Sequence, residues 1–321
     1  MIKRLVEVSS GPTHLSLRLN QLVLTRAGET IAVVPIEDLG VLVVDHPACS
    51  YTHSALTALA ENNVAVVVCG RNHHPACMLI PAEGHSTQAE AIAAQAAASE
   101  ATRNRLWKQI VRAKINAQAE LLERLRIEAG ALREMTRRVR TGDPENLEAQ
   151  AARRYWSVVM GPGFRRDRDG SPPNGLLNYG YMVLRAATAR AICGAGLCPS
   201  LGLYHRNRYN AFALADDLME PLRPIVDAAV RRLWDQGEGE LSKPVRAELL
   251  GVLARPVLWK DESSPLLIAL ARYAASIREV LAGRLKRPYI PTFLPVSLPD
   301  RNSGSGCVKA KTPAKRCEDQ T

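Results

Sequence analysis

This sequence predicts an α+β chain, a β-sandwich-like N-terminal domain followed by an all-helical domain. Three observations carry that prediction. Short Val-, Leu- and Ile-rich runs punctuated by turn formers recur over residues 1–80. From residue 89 onward the apolar positions recur at helical spacing instead. Between the two, PAEGHSTQ (81–88) is polar and rich in turn formers, as a linker would be. The expected organisation is therefore 1–80, a linker at 81–88, a helical domain at 89–299, and a basic tail at 300–321 without periodic apolar positions, expected to be disordered.

The β-rich part opens with HLSLRL (14–19), whose alternation puts Leu15, Leu17 and Leu19 on one face. Runs at 21–25, 31–36, 41–45 and 64–69 follow as further strands, and SALTALAENN (54–63) reads as one helix with Ser54 as its N-cap. His73 and His74 are adjacent and precede Pro75, so they are read as loop residues. Past the linker, 89–98 is Ala-rich and 101–140 reads as one long amphipathic helix with Leu106, Ile110, Leu121, Leu125 and Leu132 on its apolar side. That stretch holds eleven Lys and Arg against four Glu, too lopsided for a face laced only by pairs such as Glu120–Arg124. We expect part of it, Lys108 and Arg112 included, to contact a phosphate backbone. Asp143 before Pro144 is a predicted N-cap for the next helix, which carries Glu148 and the apolar positions Leu147, Ala151, Tyr155 and Val158. GPGFRRDRDGSPP (161–173) is a polar loop whose Arg165 and Arg166 are suited to phosphate. Helices are predicted at 174–193, 225–234, 241–253, 266–271 and 277–285, and the four prolines of 288–299 predict extended chain.

Composition bounds the function. With 321 residues the chain can bury a large core, and 46% apolar with 23% charged residues is ordinary for a soluble protein. GVLVV and VAVVVC are too short to span a bilayer, and MIKRLVEVSS lacks the apolar core of a signal peptide, so we expect a cytoplasmic protein with no membrane association. A net charge of +10 and a pI near 9.5 point to an anionic partner, nucleic acid first. Seven cysteines with no Cys-x-x-Cys pair argue against a disulfide framework or a zinc ribbon.

The candidate site lies in HRNRYNAFALADDLMEPLR (205–223). Asp217 and Glu220 are three residues apart and share a helical face, with Asp216 beside them, and Pro221 and Pro224 must interrupt the helix just beyond. With His205 and with Glu148 from another helix, this makes a mixed nitrogen and oxygen set that suits Mn²⁺ or Mg²⁺ better than structural zinc. From residues alone three readings stay open: a metal-dependent DNA strand-transfer enzyme, a structure-selective DNA endonuclease, and a noncatalytic DNA-binding scaffold.

Three segments then carry a family likeness: NLEAQAARRYW around Glu148, LLNYGY (176–181), and GLCPSLGLYHRNRYNAFALADDLMEPLRPIVD (196–227). In order and spacing they resemble the CRISPR-associated integrase family, Cas1, over residues 1 to about 290, with features similar to its type II branch. The resemblance implies one Mg²⁺ or Mn²⁺ held by Glu148, His205 and Glu220, with Asp217 as an alternate or supporting residue and Asn178 as a weaker supporting one. It implies integration of a prespacer 3′-hydroxyl at a CRISPR repeat boundary by transesterification, and double-stranded DNA as partner. It further implies a homodimer formed through the β-domains, two such dimers bridged by a dimer of a small ferredoxin-like protein, Cas2, and a type II RNA-guided effector nuclease as a further partner. Cys198 departs from the family pattern, where a Pro or small residue usually precedes Pro199, and the basic tail is extra.

Overall fold

A computed structural model describes residues 3–70, 75–205 and 207–294. His73, His74 and the tail from 300 onward lie outside the described residues.

Two four-stranded sheets form the N-terminal part. One has the order β1 (Arg4–Val8), β5 (Leu39–Val44), β7 (Ala65–Cys69) and β8 (Pro75–Leu79), parallel except for β8. The other has the order β4 (Glu29–Pro35), β3 (Gln21–Arg26), β2 (His14–Arg18) and β6 (Ser50–Tyr51). Leu15, Leu22 and Leu24 of the second sheet share one core with Leu42, Val44 and Val66 of the first. On the other side of the first sheet, Val41, Val43, Ala65 and Val67 join the helical core. All six residues of β5 are buried. A strand covered on both faces needs no alternation, which explains the unbroken GVLVV run.

Three local expectations need correction here. Leu19 is not on the buried face: it forms the β2–β3 turn with Asn20, at φ 49° and 57°, and is 86% exposed. A two-residue type I′ hairpin turn holds both central residues at positive φ, which Asn20 adopts readily. Helix α1 (His53–Glu61) starts one residue before Ser54, and its cap is Thr52, whose side chain accepts from the Ala55 amide. The 101–140 stretch is two helices, α3 (Glu100–Arg124) and α4 (Gly130–Arg138), broken where Arg126 takes φ 60°. The Glu120–Arg124 pair is present at 2.7 Å.

Helix α2 (Gln88–Ala97) leads into α3, which packs against α4, α5 (Leu147–Val159) and the 3₁₀ turn Glu220–Leu222. At the centre runs α6 (Asn174–Gly194), almost wholly buried, touching α7 (Ala213–Met219), α8 (Arg223–Asp235), α9 (Lys243–Leu250), α10 (Leu266–Leu281) and strand β7. Gly180 permits the α6–α8 approach, since a Cβ there would stand 2.5 Å from Val226 Cγ1. The helical part is not purely helical. Strands β9 (Pro256–Trp259) and β10 (Glu262–Pro265) form a hairpin where Lys260 turns at φ 53°, and α10 then runs unbroken where two helices were expected. Residues 288–294 form no helix or named strand, and Thr292 makes an isolated antiparallel bridge to Leu258.

Candidate metal and phosphate site

Each carboxylate of the site is positioned by a local feature of sequence. Glu148 lies in the first turn of α5. Asp143 is not the N-cap residue of that helix, because Asn146 intervenes at φ 49°, yet its carboxylate accepts from the amides of Leu147 at 2.9 Å and Glu148 at 3.0 Å. The helix start is therefore capped from four residues back. Glu220 stands where α7 gives way to a 3₁₀ turn, because Pro221 and Pro224 cannot continue the α-helical ladder. The interruption aims its side chain toward α3.

His205 follows the turn Cys198–Gly202, and buried Gln95 pins that turn by accepting from the Cys198 amide at 2.9 Å and donating to the Cys198 and Leu201 carbonyls. Gly202 is required for the close approach, since a Cβ would lie 2.4 Å from the His205 carbonyl oxygen and 3.1 Å from Asp217 Oδ2. Aromatic rings wall the imidazole: Trp107 and Tyr204 stack at 4.3 Å, and both meet the His205 ring edge-on.

The three acidic residues of α7 and the following turn face three different partners. Asp217, fully buried, accepts from the amides of Leu203 at 2.6 Å and Tyr204 at 3.0 Å, and pairs with His205 Nδ1 at 2.6 Å. Asp216 pairs with Arg185 at 2.7 Å and accepts from Asn210. Glu220 accepts from Arg223 Nε at 2.9 Å through Oε1, while its Oε2 meets Lys114 Nζ at 2.6 Å. The same ammonium lies 2.6 Å from Glu148 Oε1. Lys114 of α3 thus ties together the two carboxylates that come from α5 and the 3₁₀ turn.

Electrostatics follow from this wiring. Burial alone would raise the Glu220 carboxyl, but Arg223 and Lys114 outweigh it and hold it down at about 2. Burial would also discharge Lys114, but Glu220 and then Glu148 keep its pKa above the usual value, so it stays charged. The Asp217 hydrogen bond raises His205, against the opposing effect of its burial. Behind Glu220, Asp227 accepts from Tyr155 at 2.7 Å and from Tyr181 at 2.5 Å, and its burial pushes it up to about 6.

A divalent cation fits this donor set. Glu220 Oε2 is buried and has no hydrogen bond, its close contact with Lys114 lying off the hydrogen-bonding direction. Glu148 offers a second carboxylate across the same ammonium. His205 has Nδ1 committed to Asp217, which leaves Nε2 as the nitrogen facing outward, the arrangement found when a carboxylate orients a metal-binding imidazole. Among the described residues these side chains do not close into a ready-made cage of three ligands, because Lys114 stands between the two carboxylates.

A cavity of about 370 Å³ opens beside the site, lined by Arg166, Arg168, Arg185, Arg223, His205 and Glu220. Such a cluster suits a polyanion. Of the basic residues expected to meet phosphate, Arg166 lines this cavity, but its guanidinium is bound to Asn174 at 3.0 Å and Asn178 at 2.7 Å and lies over Tyr181. Asn178 therefore braces the 161–173 loop, donating also to the Arg168 carbonyl. Arg165 is exposed on that loop. Lys108 is half-buried and Arg112 exposed on α3. Arg112 precedes Lys114 by two residues, about 200° of helical rotation, so it faces away from Glu220.

Sequence reasoning missed Lys114, Arg223 and the Asp227 network. Lys114 left a signal: with Ile110 and Gln118 it makes an i, i+4, i+8 stripe on the buried side of α3, where a lysine stem is out of place unless its charge is matched.

The family profile described as CRISPR associated protein Cas1 matches residues 6–248. The chain belongs to the Cas1 family. It is 34% identical over 287 residues to the CRISPR-associated endonuclease Cas1 of Neisseria meningitidis serogroup C, covering 88% of this chain and 94% of that Cas1. Among solved structures the same fold occurs in a casposase bound to integration product, with TM-score 0.72, 20% identity and coverage of 89% and 92% of the two chains. It occurs also in a Cas6-RT-Cas1–Cas2 complex, with TM-score 0.69, 18% identity and coverage of 88% of this chain and 35% of that one. The β-sheets followed by a mostly helical region are thus the Cas1 fold. Among the described residues, no helix of this chain is long and apolar enough to cross a membrane.

Proposed function

We propose that this chain is a metal-dependent DNA integrase of CRISPR adaptation, joining the 3′-hydroxyl of a prespacer to the boundary of a CRISPR repeat by transesterification. The observation that carries it is the convergence of Glu148, from α5, and Glu220, from the proline-broken turn, on a single cation position, with His205 oriented beside them by Asp217. Glu148, Glu220 and His205 Nε2 would hold Mg²⁺ or Mn²⁺. When bound, such an ion withdraws charge from a phosphate and lowers the pKa of an attacking hydroxyl. Asp217 fixes the imidazole with its proton on Nδ1, and the buried Trp107 keeps the ring in place. Arg166, Arg168, Arg185 and Arg223 would bind the phosphates flanking the reacting one and hold them in line, where much of the rate of phosphoryl transfer originates. In the step itself the incoming 3′-hydroxyl gives up its proton to solvent as its oxygen bonds phosphorus, and the bond from phosphorus to the original 3′-oxygen breaks, that oxygen taking up a proton to leave as a new 3′-hydroxyl.

Residues 89–299 would form the catalytic and DNA-binding domain, and 1–80 the dimerisation domain. The casposase captured on its integration product, and the complex containing Cas2, support DNA and Cas2 as partners, and a Cas2 dimer bridging two dimers of this chain is proposed on the family resemblance. The type II effector nuclease is proposed on the family resemblance.

The test is strand transfer on a branched DNA with a free 3′-hydroxyl flap beside a nicked duplex, run with Mn²⁺, Mg²⁺ or chelator. A metal-dependent longer strand, absent in His205→Ala and Glu148→Ala, is expected. Only shortened strands would replace the integrase with a nuclease, and full strand transfer by either variant would overturn the site.

A further inference from the structure

Lys114 occupies the position that two carboxylates share. Its ammonium stands 2.6 Å from Glu148 Oε1 and 2.6 Å from Glu220 Oε2, and its side chain is only 12% exposed. Arg223 takes the other oxygen of Glu220. Two negative charges thus face two positive ones. A divalent ion held by the same two carboxylates would stand within a few ångström of the ammonium and repel it, so the two compete for the pair.

A second place for the ammonium exists one helical turn away. Gln118 follows Lys114 at i+4 on the same face of α3, is 3% exposed, and its Oε1 is buried with no hydrogen-bond partner. Lys114 and Gln118 line one cavity of about 170 Å³ together with Glu220 and Arg223. A buried acceptor left without a donor is costly, and a flexible four-carbon stem lets the ammonium reach it.

We infer that Lys114 is an internal counter-ion that holds Glu148 and Glu220 apart from solvent until a divalent cation displaces it, the ammonium then moving to Gln118 Oε1. Lys114 thereby sets how much metal the site needs. The inference rests on the reading of Glu148 and Glu220 as metal ligands. It differs from a purely structural ion pair in the sign of one effect. Loss of a structural tie would loosen the carboxylates and weaken metal binding, whereas loss of a competitor strengthens it.

The experiment is calorimetric titration of the full chain with Mn²⁺, without DNA, paired with melting temperatures in chelator and in saturating Mn²⁺. Lys114→Met should bind Mn²⁺ at least about tenfold tighter than wild type. It should melt lower in chelator, because buried Glu220 and half-buried Glu148 lose their shared partner, and gain more from Mn²⁺. Lys114→Arg should keep the chelator melting temperature and bind Mn²⁺ no tighter than wild type. Gln118→Leu, which removes the second place, should weaken Mn²⁺ binding. Equal or weaker binding by Lys114→Met overturns the inference. If that variant does not fold, Lys114→Gln, which keeps a hydrogen-bond donor but no charge, decides: tighter Mn²⁺ binding than wild type supports displacement, and equal or weaker binding refutes it. Glu148→Gln separates the two levels. Unaltered Mn²⁺ binding by Glu148→Gln removes the ligand reading and this inference with it. Loss of binding there with no gain in Lys114→Met removes the inference alone.

Discussion

Replacing Asp217 with Asn keeps the shape of the side chain and removes its charge. Asp217 is 0% exposed, and its oxygens accept from the amides of Leu203, Tyr204 and His205 while pairing with His205 Nδ1. An amide has one oxygen for these donors, and its NH₂ must face either the backbone amides or the imidazole. Hydrogen bonds to a charged group contribute about 1.5–3 kcal/mol each, so leaving one donor unmet should cost about 1.5–3 kcal/mol of stability, and two about twice that. If the NH₂ turns to His205 instead, Nδ1 must become the acceptor and its proton moves to Nε2, the nitrogen meant for metal. Loss of such an orienting carboxylate typically lowers metal affinity ten- to hundredfold. Urea unfolding in chelator measures the first effect and Mn²⁺ calorimetry on the folded protein the second. His205→Ala is the control, since that side chain is 41% exposed and should cost less stability while losing the affinity. Asp217→Asn with wild-type stability and wild-type Mn²⁺ affinity would refute the wiring.

Other outcomes follow from the same geometry. Gly202→Ala places a methyl 2.4 Å from the His205 carbonyl oxygen and 2.9 Å from Ala213 Cβ, so it should destabilise by about 1–3 kcal/mol in thermal melts, and an unchanged melting temperature would mean the turn relaxes freely. Asp227, pushed up to about 6 from an ordinary 3.8, binds its proton more tightly in the folded state. Its contribution to stability is full below pH 4 and lost as pH rises through 6, amounting to about 3 kcal/mol. Asp227→Asn should flatten that part of the stability–pH curve, and an unchanged slope between pH 4 and 6 would show that Asp227 is not its source. Arg166→Ala frees Asn174 and Asn178 from their shared guanidinium, so an aspartate-specific protease should cut the 161–173 loop at Asp167 or Asp169 faster, and duplex DNA affinity should fall with a smaller salt dependence. Equal cleavage and affinity would show the loop to be braced by other contacts.

What the sequence determined by itself was periodicity and chain-local chemistry. The alternation of residues 14–18, the solid apolar run of β5 and the helical spacing beyond residue 88 reflect where each side chain meets water, and that record is written one residue at a time. The proline break at Pro221 and Pro224 was legible for the same reason, since ring closure acts on the adjacent backbone. Turn geometry was less so: Leu19 continues the alternation in the sequence yet belongs to a left-handed turn set by hairpin length, and a 3₁₀ turn, a hairpin at Lys260 and a break at Arg126 leave little mark on hydrophobic spacing. The partners of the carboxylates were decided only in three dimensions. Asp216, Asp217 and Glu220 look alike on one short helix, but each energy depends on a residue far off in the chain: Arg185 for the first, the 203–205 backbone for the second, and Lys114 for the third. Coulomb energy depends on distance and burial, and packing α3 against α5 and the 3₁₀ turn is what makes Lys114 the neighbour of both Glu148 and Glu220.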